Sequence, residues 1–487
     1  MTLQENSWKK TVSFSHLLEE ERGASGAGGV GVRGRLRRPP KTLSAGLKRW
    51  HRLITNHRAP WLKDVYPVTQ YADDVPYWTY HAELDIPNQE KYIGASAEGF
   101  TFDDPELALI KCLGEAVERY ACFCPTSALY AKVRALDHHA PNAVHADLKN
   151  LEYFSVHQRA KLQLAPLDSA TEATMGWYLG SDLRSQQSTW IPAQLVDLTY
   201  HGHAPEPLIL LPISTGAASH FSLSQALDGG IAECIERDAV MLAYLSQAQL
   251  PELDVDSHPR LRLLHQALQD HGFELHVLDV TTDFAVPTYW AICIDGSGLG
   301  PALTVGSKCD PSALAAAEGA ILEALHPRMW LRGAWLDALQ QAQPKGSTQR
   351  KKTSTTYADM NTLVERGLFW ATSEGVAALR PFWEGARRAP LRADYPTKSH
   401  QKSNSLWQSL LEKFPQEPCW AVDLTPVSMK GQLWVVKVIM PRLQPLYLQE
   451  AWRAWGSARL REVPAKLGWC STSLNEGDLV ERPHPFL

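Results

Sequence analysis

Two stretches of the chain carry the same reactive residue types at the same spacing: Leu113-Gly-Glu115-Ala-Val-Glu118-Arg119 and Ile231-Ala-Glu233-Cys-Ile-Glu236-Arg237-Asp238. Each sets two carboxylates and a guanidinium in otherwise apolar sequence. On a helix, Glu115 and Arg119, like Glu233 and Arg237, stand four residues apart and face each other. A buried carboxylate must pair with a cation, ligate a metal or take up a proton. Four glutamates from two helices form a hard-oxygen set suited to Mg2+ together with substrate phosphates. The bland alternative is a group of Glu–Arg ion pairs that pins two helices together. Spacing alone leaves both open.

The elements that must position these residues read as a mixed α+β chain. Asp104 and Pro105 supply the cap and first-turn proline of a helix running to about Cys122. Its core face is expected to hold Leu107, Ile110, Gly114, Val117 and Ala121, with the glutamates at the edge. The second motif lies in a helix over 223–247 that is apolar around most of its circumference and should be buried. Further helices are expected at 259–271 and 311–326. Short Val-, Ile- and Trp-rich runs at 273–280, 289–294, 420–424 and 433–440 read as strands. Apart from the doubled motif there is no periodic repeat, which excludes solenoids and propellers.

At 487 residues the chain has room for a large enzyme core, and its composition, 44% hydrophobic and 21% charged, is that of a soluble protein. No run is apolar and long enough for a signal peptide or membrane helix, so the expected location is cytoplasmic, with no membrane contact. The eight cysteines lack zinc-ligand spacing and are expected to be reduced and mostly buried. Eight Lys/Arg and no acid lie between Arg33 and Arg52, leaving the rest of the chain acidic. That segment suits an acidic peptide or a nucleic acid, or is a solvated arm; a nucleic-acid partner is not expected. Gly29-Val-Gly31-Val-Arg-Gly34 formally matches a dinucleotide-binding pattern, but charged residues precede it and Pro39-Pro40 follow, so no strand and helix flank it. Residues 344–356 read as an exposed polar loop.

The order of the motifs resembles the YcaO family. Gly99, Glu106 and Ala108 leading into Cys112-Leu-Gly-Glu115-Ala-Val-Glu118-Arg119 is similar to its first nucleotide-binding motif, and Thr215-Gly216-Ala217-Ala218 with Glu233-x-x-Glu236-Arg237-Asp238 to its second. The run from Gly306 through Pro311 to Ala324-Leu325-His326-Pro327-Arg328 resembles a later helix ending in an ATP-contacting arginine. The last residues, Arg482-Pro483-His484-Pro485-Phe486-Leu487, are close to the proline-rich end of azoline-forming members. Three departures stand out. Cys112 replaces the family's serine, Gln225 stands where a glutamate is common, and Leu487 replaces the final proline.

The resemblance implies a YcaO-type α+β fold over 61–487, preceded by an extension and Gly-rich, basic linker over 1–60. It implies an ATP- and Mg2+-dependent cyclodehydratase acting on a ribosomal precursor peptide. A Cys, Ser or Thr side chain attacks the preceding amide carbonyl, ATP phosphorylates the resulting oxyanion, and loss of phosphate leaves a thiazoline or oxazoline. By the same resemblance Glu115, Glu118, Glu233 and Glu236 hold Mg2+ and triphosphate, with Gln225, Arg237 and Arg328 as further nucleotide contacts. The carboxylate of Leu487, on a tail stiffened by Pro483 and Pro485, is the candidate base. Partners would be an E1-like or leader-binding protein and a flavin-dependent azoline dehydrogenase. The same activation could serve thioamide or amidine formation. Outside the family stand a metal-dependent phosphohydrolase, for which His138-His139 and His201-x-His203 are weak candidates, and a scaffold held by Glu–Arg pairs.

Overall fold

The computed structural model describes residues 44–487 except 58–60, 87–95, 126–127, 135–142, 168, 170–172, 203–205, 343–356, 358–359, 397, 400–401 and 404. The glycine pattern, the polar loop at 344–356, His138, His139 and His203 lie outside the described residues. His201 is exposed.

Three sheets carry the fold. A three-stranded antiparallel sheet joins Leu62–Pro67, Trp78–Leu84 and Ser96–Thr101. A five-stranded sheet is ordered Leu303–Cys309, Thr288–Asp295, Phe273–Asp279, Glu252–Leu253, Arg388–Ala389. A seven-stranded sheet runs Ala143–His145, Ser188–Pro192, Thr174–Asp182, Trp420–Asp423, Trp434–Ile439, Ala217–His220, with Tyr130–Arg134 also pairing with Thr174–Asp182. The strands expected from the sequence are all present, and every residue of Thr288–Asp295 is buried, as its unbroken apolar run requires.

Helix α1 (Ala45–His57) and helix α2 (Pro105–Phe123) pack together, and α2 also lies against the three-stranded sheet and against the strands Ala217–His220 and Trp434–Ile439. Asp104 caps α2 by accepting the Leu107 N–H. A short helix α3 (Val156–Lys161) has a complete capping box. Helix α4 (Leu223–Leu245) sits on the seven-stranded sheet and touches Leu303–Cys309. Helices α5 (Pro259–Asp270) and α6 (Ala313–Ala342) cover the five-stranded sheet. No helix among the described residues is long and apolar enough to cross a membrane.

Three expectations are corrected. Helix α6 does not stop at 326 but continues through Pro327 to Ala342. An internal proline costs about 3 kcal/mol, and here Leu322, Ala324, Leu325 and Leu331, all buried, hold the helix together across it. The buried face of α2 is wider than the one expected: Val117 and Ala121 are buried as expected and Leu107 is exposed, while Ala108, Leu109, Cys112, Leu113 and Ala116 are buried as well, because sheets press on the helix from two sides. The basic segment is not all solvated arm. From Ala45 it is helical, and Leu47, Trp50, Leu53 and Ile54 enter the main core while Arg49 reaches the Gln432 carbonyl and lies over Phe221.

Candidate active site

Backbone contact between strands and helices fixes the site. A Cβ at Gly99 would overlap the backbone of Ala108 and Cys112, so only glycine lets strand Ser96–Thr101 lie flush on α2. Gly306 does the same for Leu303–Cys309 on α6, where a Cβ would run into the backbone at Ala320, Glu323 and Ala324. These contacts bring the charged groups of α2, α4 and α6 within electrostatic reach of one another.

On α2, Glu115 accepts from Arg119 Nη2 at 3.0 Å and from the backbone N–H of Glu98 at 3.1 Å. Burial, then repulsion from Glu233 and Glu115, pushes the Glu118 carboxyl well above the usual carboxylate range, against the pull of Arg119. On α4, Glu236 is 1% exposed and accepts from Ser307 Oγ at 2.8 Å and the Cys309 N–H at 3.1 Å, with Arg237 Nη1 at 3.4 Å. Glu233 accepts the Gly216 N–H at 3.0 Å, which Gly216 offers from a backbone at φ +84° that favours glycine, and lies 3.8 Å from Arg237. The two Glu-x-x-Glu-Arg stretches therefore lie within electrostatic reach of each other, through Glu118 and Glu233.

Several charged residues at the junction went unnoticed in the sequence. Glu323 on α6 binds Lys308 at 3.1 Å; burial and repulsion from Glu236 raise its carboxyl despite that lysine. Lys437 is buried in the middle of strand Trp434–Ile439 and donates to the Ile213 and Thr215 carbonyls, both at 2.6 Å. Burial lowers its ammonium although Glu233 and Glu118 are near. Glu98, whose amide touches Glu115, accepts from His81 Nδ1 at 2.9 Å and from His326 Nε2. Burial opposes the charge of Glu98, but the two histidines outweigh it and hold the carboxyl at about 2. A lysine in an apolar strand and a glutamate within Ile321-Leu-Glu323-Ala-Leu were signals available in the sequence. Nothing local marked Glu98 or His81.

Other expected site residues lie elsewhere. Arg328, 3% exposed, is held by Asp74 at 2.7 Å, Asp295 at 2.5 Å and Asp73 at 3.3 Å, and no bond among the described residues joins it to the glutamates. Gln225 is exposed in the first turn of α4, eight residues and so about 12 Å along the helix from Glu233. Cys112 is fully buried, its thiol directed at the Ala97 carbonyl and pushed up by burial.

The chain end does reach this region. Pro483, His484, Pro485 and Phe486 are buried and Leu487 is half-buried. Tyr244 Oη donates to the Pro483 carbonyl at 2.8 Å, His484 Nε2 to the Tyr447 carbonyl at 2.6 Å, and Arg366 Nη1 lies 3.5 Å from the Phe486 carbonyl. The Phe486 ring lies 5.2 Å from Trp290, whose cross-strand partner Ser307 binds Glu236 and Arg237. A terminus frays unless it is tied down, and this one is.

The donor chemistry fits Mg2+. Carboxylate oxygens are its preferred ligands, and Glu118, whose carboxyl is raised by burial first and then by Glu233 and Glu115, would be stabilised in its charged form by a cation there. Arg119 Nε is also buried without a partner. Among the described residues no three His, Cys, Asp or Glu side chains already converge as a ligand set, so Glu115, Glu233 and Glu236 would have to exchange ion-pair partners for metal.

Comparison with known proteins places the chain. Residues 101–444 match the YcaO cyclodehydratase family, described as ATP- and Mg2+-binding. An uncharacterized protein in the tfuA 3' region of Rhizobium leguminosarum bv. trifolii is 29% identical over 238 residues, 46% of this chain and 53% of the relative. In fold, the chain is similar to a heterocyclase solved in complex with substrate and cofactor (TM-score 0.69, 19% identity, 93% of this chain and 59% of that one). It is also similar to YcaO from Methanopyrus kandleri bound with AMPPCP and Mg2+ (0.53, 17%, 83% and 92%). A third likeness is to the E. coli microcin synthetase McbBCD complex with pro-MccB17 bound (0.54, 14%, 80% and 90%). The chain thus spans only about half the length of its curated relative and 59% of the first heterocyclase. With the family matched over most of its length, and the two motif helices, the intervening sheets and the mixed α+β architecture in place, the chain belongs to the YcaO cyclodehydratase family.

Proposed function

We propose that the chain is an ATP-dependent cyclodehydratase that converts Cys, Ser or Thr residues of a ribosomal precursor peptide to azolines. The observation that carries this reading is the nearness of half-buried Glu118 to Glu115 and Glu233, whose own cations are Arg119 at 3.0 Å and Arg237 at 3.8 Å. In this reading Glu115, Glu118, Glu233 and Glu236 hold Mg·ATP, joined by Glu323, and Arg237 faces the phosphates. Bound Mg·ATP would supply the phosphoryl group that turns the amide oxygen into a leaving group. Arg328 would meet phosphate only by giving up its aspartates, and Gln225 contributes through solvent if at all. The buried tail would hold the Leu487 carboxylate as base for the attacking side chain, with Pro483 and Pro485 limiting its freedom.

Support for a peptide substrate and protein partners comes from the relatives: one structural neighbour is a heterocyclase with substrate, another a synthetase complex with pro-MccB17. An E1-like or leader-binding partner belongs to this proposal, as does a flavin-dependent dehydrogenase acting after ring closure. The test incubates the protein and its partner with a candidate precursor, Mg2+ and ATP and weighs the peptide. Loss of one water per ring supports cyclodehydration. An unchanged mass, with partner binding confirmed, refutes it, and exchange of oxygen for sulfur would point to thioamide formation.

A further inference from the structure

A buried ammonium without a carboxylate partner is costly. Lys437, 2% exposed in the middle of strand Trp434–Ile439, is such a group: among the described residues it forms no ion pair, and its Nζ donates to the Ile213 and Thr215 carbonyls. An apolar side chain would serve the strand better there, so the ammonium needs another account.

Strand register shows what it reaches. Lys437 pairs with Ala217, the residue that closes a turn over Ser214–Ala217 by placing its N–H on the Ser214 carbonyl at 2.9 Å. Gly216 is the third residue of that turn and holds φ at +84°, as a type II turn requires at this position. The middle peptide of the turn joins Thr215 to Gly216, and it is gripped at both ends. Lys437 holds the Thr215 carbonyl at 2.6 Å, and Glu233 Oε2 accepts the Gly216 N–H at 3.0 Å. The Gly216 carbonyl is fixed in its turn by the Val438 N–H at 2.7 Å.

Glycine lets this middle peptide turn over, since type I and type II turns differ by that flip. The flipped peptide would aim the Thr215 carbonyl at the Glu233 carboxylate and the Gly216 N–H at the Lys437 ammonium, both repulsive. Ammonium and carboxylate thus select one orientation between them. With Glu233 Oε2 held by the amide, Oε1 keeps the long contact to Arg237, 3.8 Å, and is the oxygen free to take a metal.

We propose that Lys437 is a positioning residue for the metal site: through the Thr215–Gly216 peptide it sets Glu233 so that Oε1 faces the cation, without itself touching metal or nucleotide. The inference rests on the Mg·ATP reading above and adds to it a residue outside the doubled motif. The full chain is titrated with Mg2+ in the presence of a fluorescent, non-hydrolysable ATP analogue, beside Lys437→Met and Lys437→Gln, with thermal melts of all three. The sign of the change discriminates. Lys437 lies within electrostatic reach of Glu233 and Glu118, so if it were a bystander its removal would lower the Mg2+ needed for half-saturation. Positioning predicts the reverse: roughly tenfold more Mg2+ for Lys437→Met, and roughly threefold more for Lys437→Gln, whose shorter neutral amide can still donate to one carbonyl. Both variants should melt within a few degrees of the unmodified chain, because each also discards a buried unpaired charge. An unchanged or lower Mg2+ requirement in a folded variant overturns the inference. A rise found only with a large fall in melting temperature makes Lys437 a packing residue and overturns it too. If Lys437→Met does not fold, Lys437→Gln decides alone. Mg2+-dependent binding that the variants share unchanged removes this inference alone, whereas its absence from the unmodified chain removes the function beneath it.

Discussion

At Glu118, burial first and then the neighbouring Glu233 and Glu115 raise the carboxyl, so ionising it costs stability unless a cation binds beside it. Glu118→Gln should therefore raise the unfolding free energy, by about 1 kcal/mol, while abolishing ATP-dependent turnover; thermal melts beside a turnover assay read both. Were the residue only a helix pin, the melt would fall instead. Glu236→Gln should also end turnover, but at a stability cost, because Ser307, Cys309 and Arg237 all contact that carboxylate. Two further groups set the acid limb. Burial first, then Arg366 and Arg237, hold the His484 imidazole well below its usual 6.5, against the pull of the Tyr447 carbonyl. The unfolded chain takes up that proton and the folded chain does not, so stability should fall as pH drops below 6.5, until the folded value is reached. His484→Gln should remove that limb from a urea-melt pH series. Glu98 adds a second loss between 4.5 and about 2, where its folded carboxylate still resists protonation. The doubled motif was legible because four glutamates in apolar sequence have few physical explanations. Glu98, His81 and the aspartates around Arg328 were not, since strand pairing and long-range packing bring them together and no local spacing records that.

Among the elements, α6 departs most from what its sequence suggests. Pro327 removes the N–H that would bond to the Glu323 carbonyl, yet buried neighbours on both sides carry the helix on, so periodicity outweighed the breaker. Its placement depends on Gly306. Gly306→Ala should cost more than about 3 kcal/mol, or shift α6 and with it Glu323 and Lys308, because the new methyl meets backbone and not a yielding side chain; denaturant melts would show it. The tail is an element in its own right. Arg366, fully buried and paired at 2.9 Å with the equally buried Glu450 side chain, donates to the Tyr447, Leu448 and Phe486 carbonyls. Breaking such a pair from one side costs about 3–5 kcal/mol, so Arg366→Met should destabilise the protein and open the chain end to carboxypeptidase. Met at both positions should restore part of the stability. Strand and helix types were readable from apolar runs and caps such as Asp104-Pro105. The full width of the buried face of α2 was not, because a helix enclosed by two sheets has no single polar side to mark its orientation.

At the scale of the molecule, three sheets converge on the charged junction, with α2, α4 and α6 carrying the groups that meet there. Helix α1 belongs to this body. Removing residues 1–60 would take Leu47, Trp50, Leu53 and Ile54 out of the core at a cost of several kcal/mol, so the suitability of the basic segment for an acidic peptide is tested by removing residues 1–43 instead. That truncation should weaken binding of an acidic peptide; unchanged affinity would remove the role. The central claim is that the two Glu-x-x-Glu-Arg helices together hold Mg·ATP. Calorimetric titration of the full chain with a non-hydrolysable ATP analogue, with and without Mg2+, tests it most directly, repeated on Glu118→Gln and Glu236→Gln. The account predicts saturable binding that requires Mg2+ and is lost in both folded variants; binding that ignores Mg2+, or that both variants retain, would contradict it.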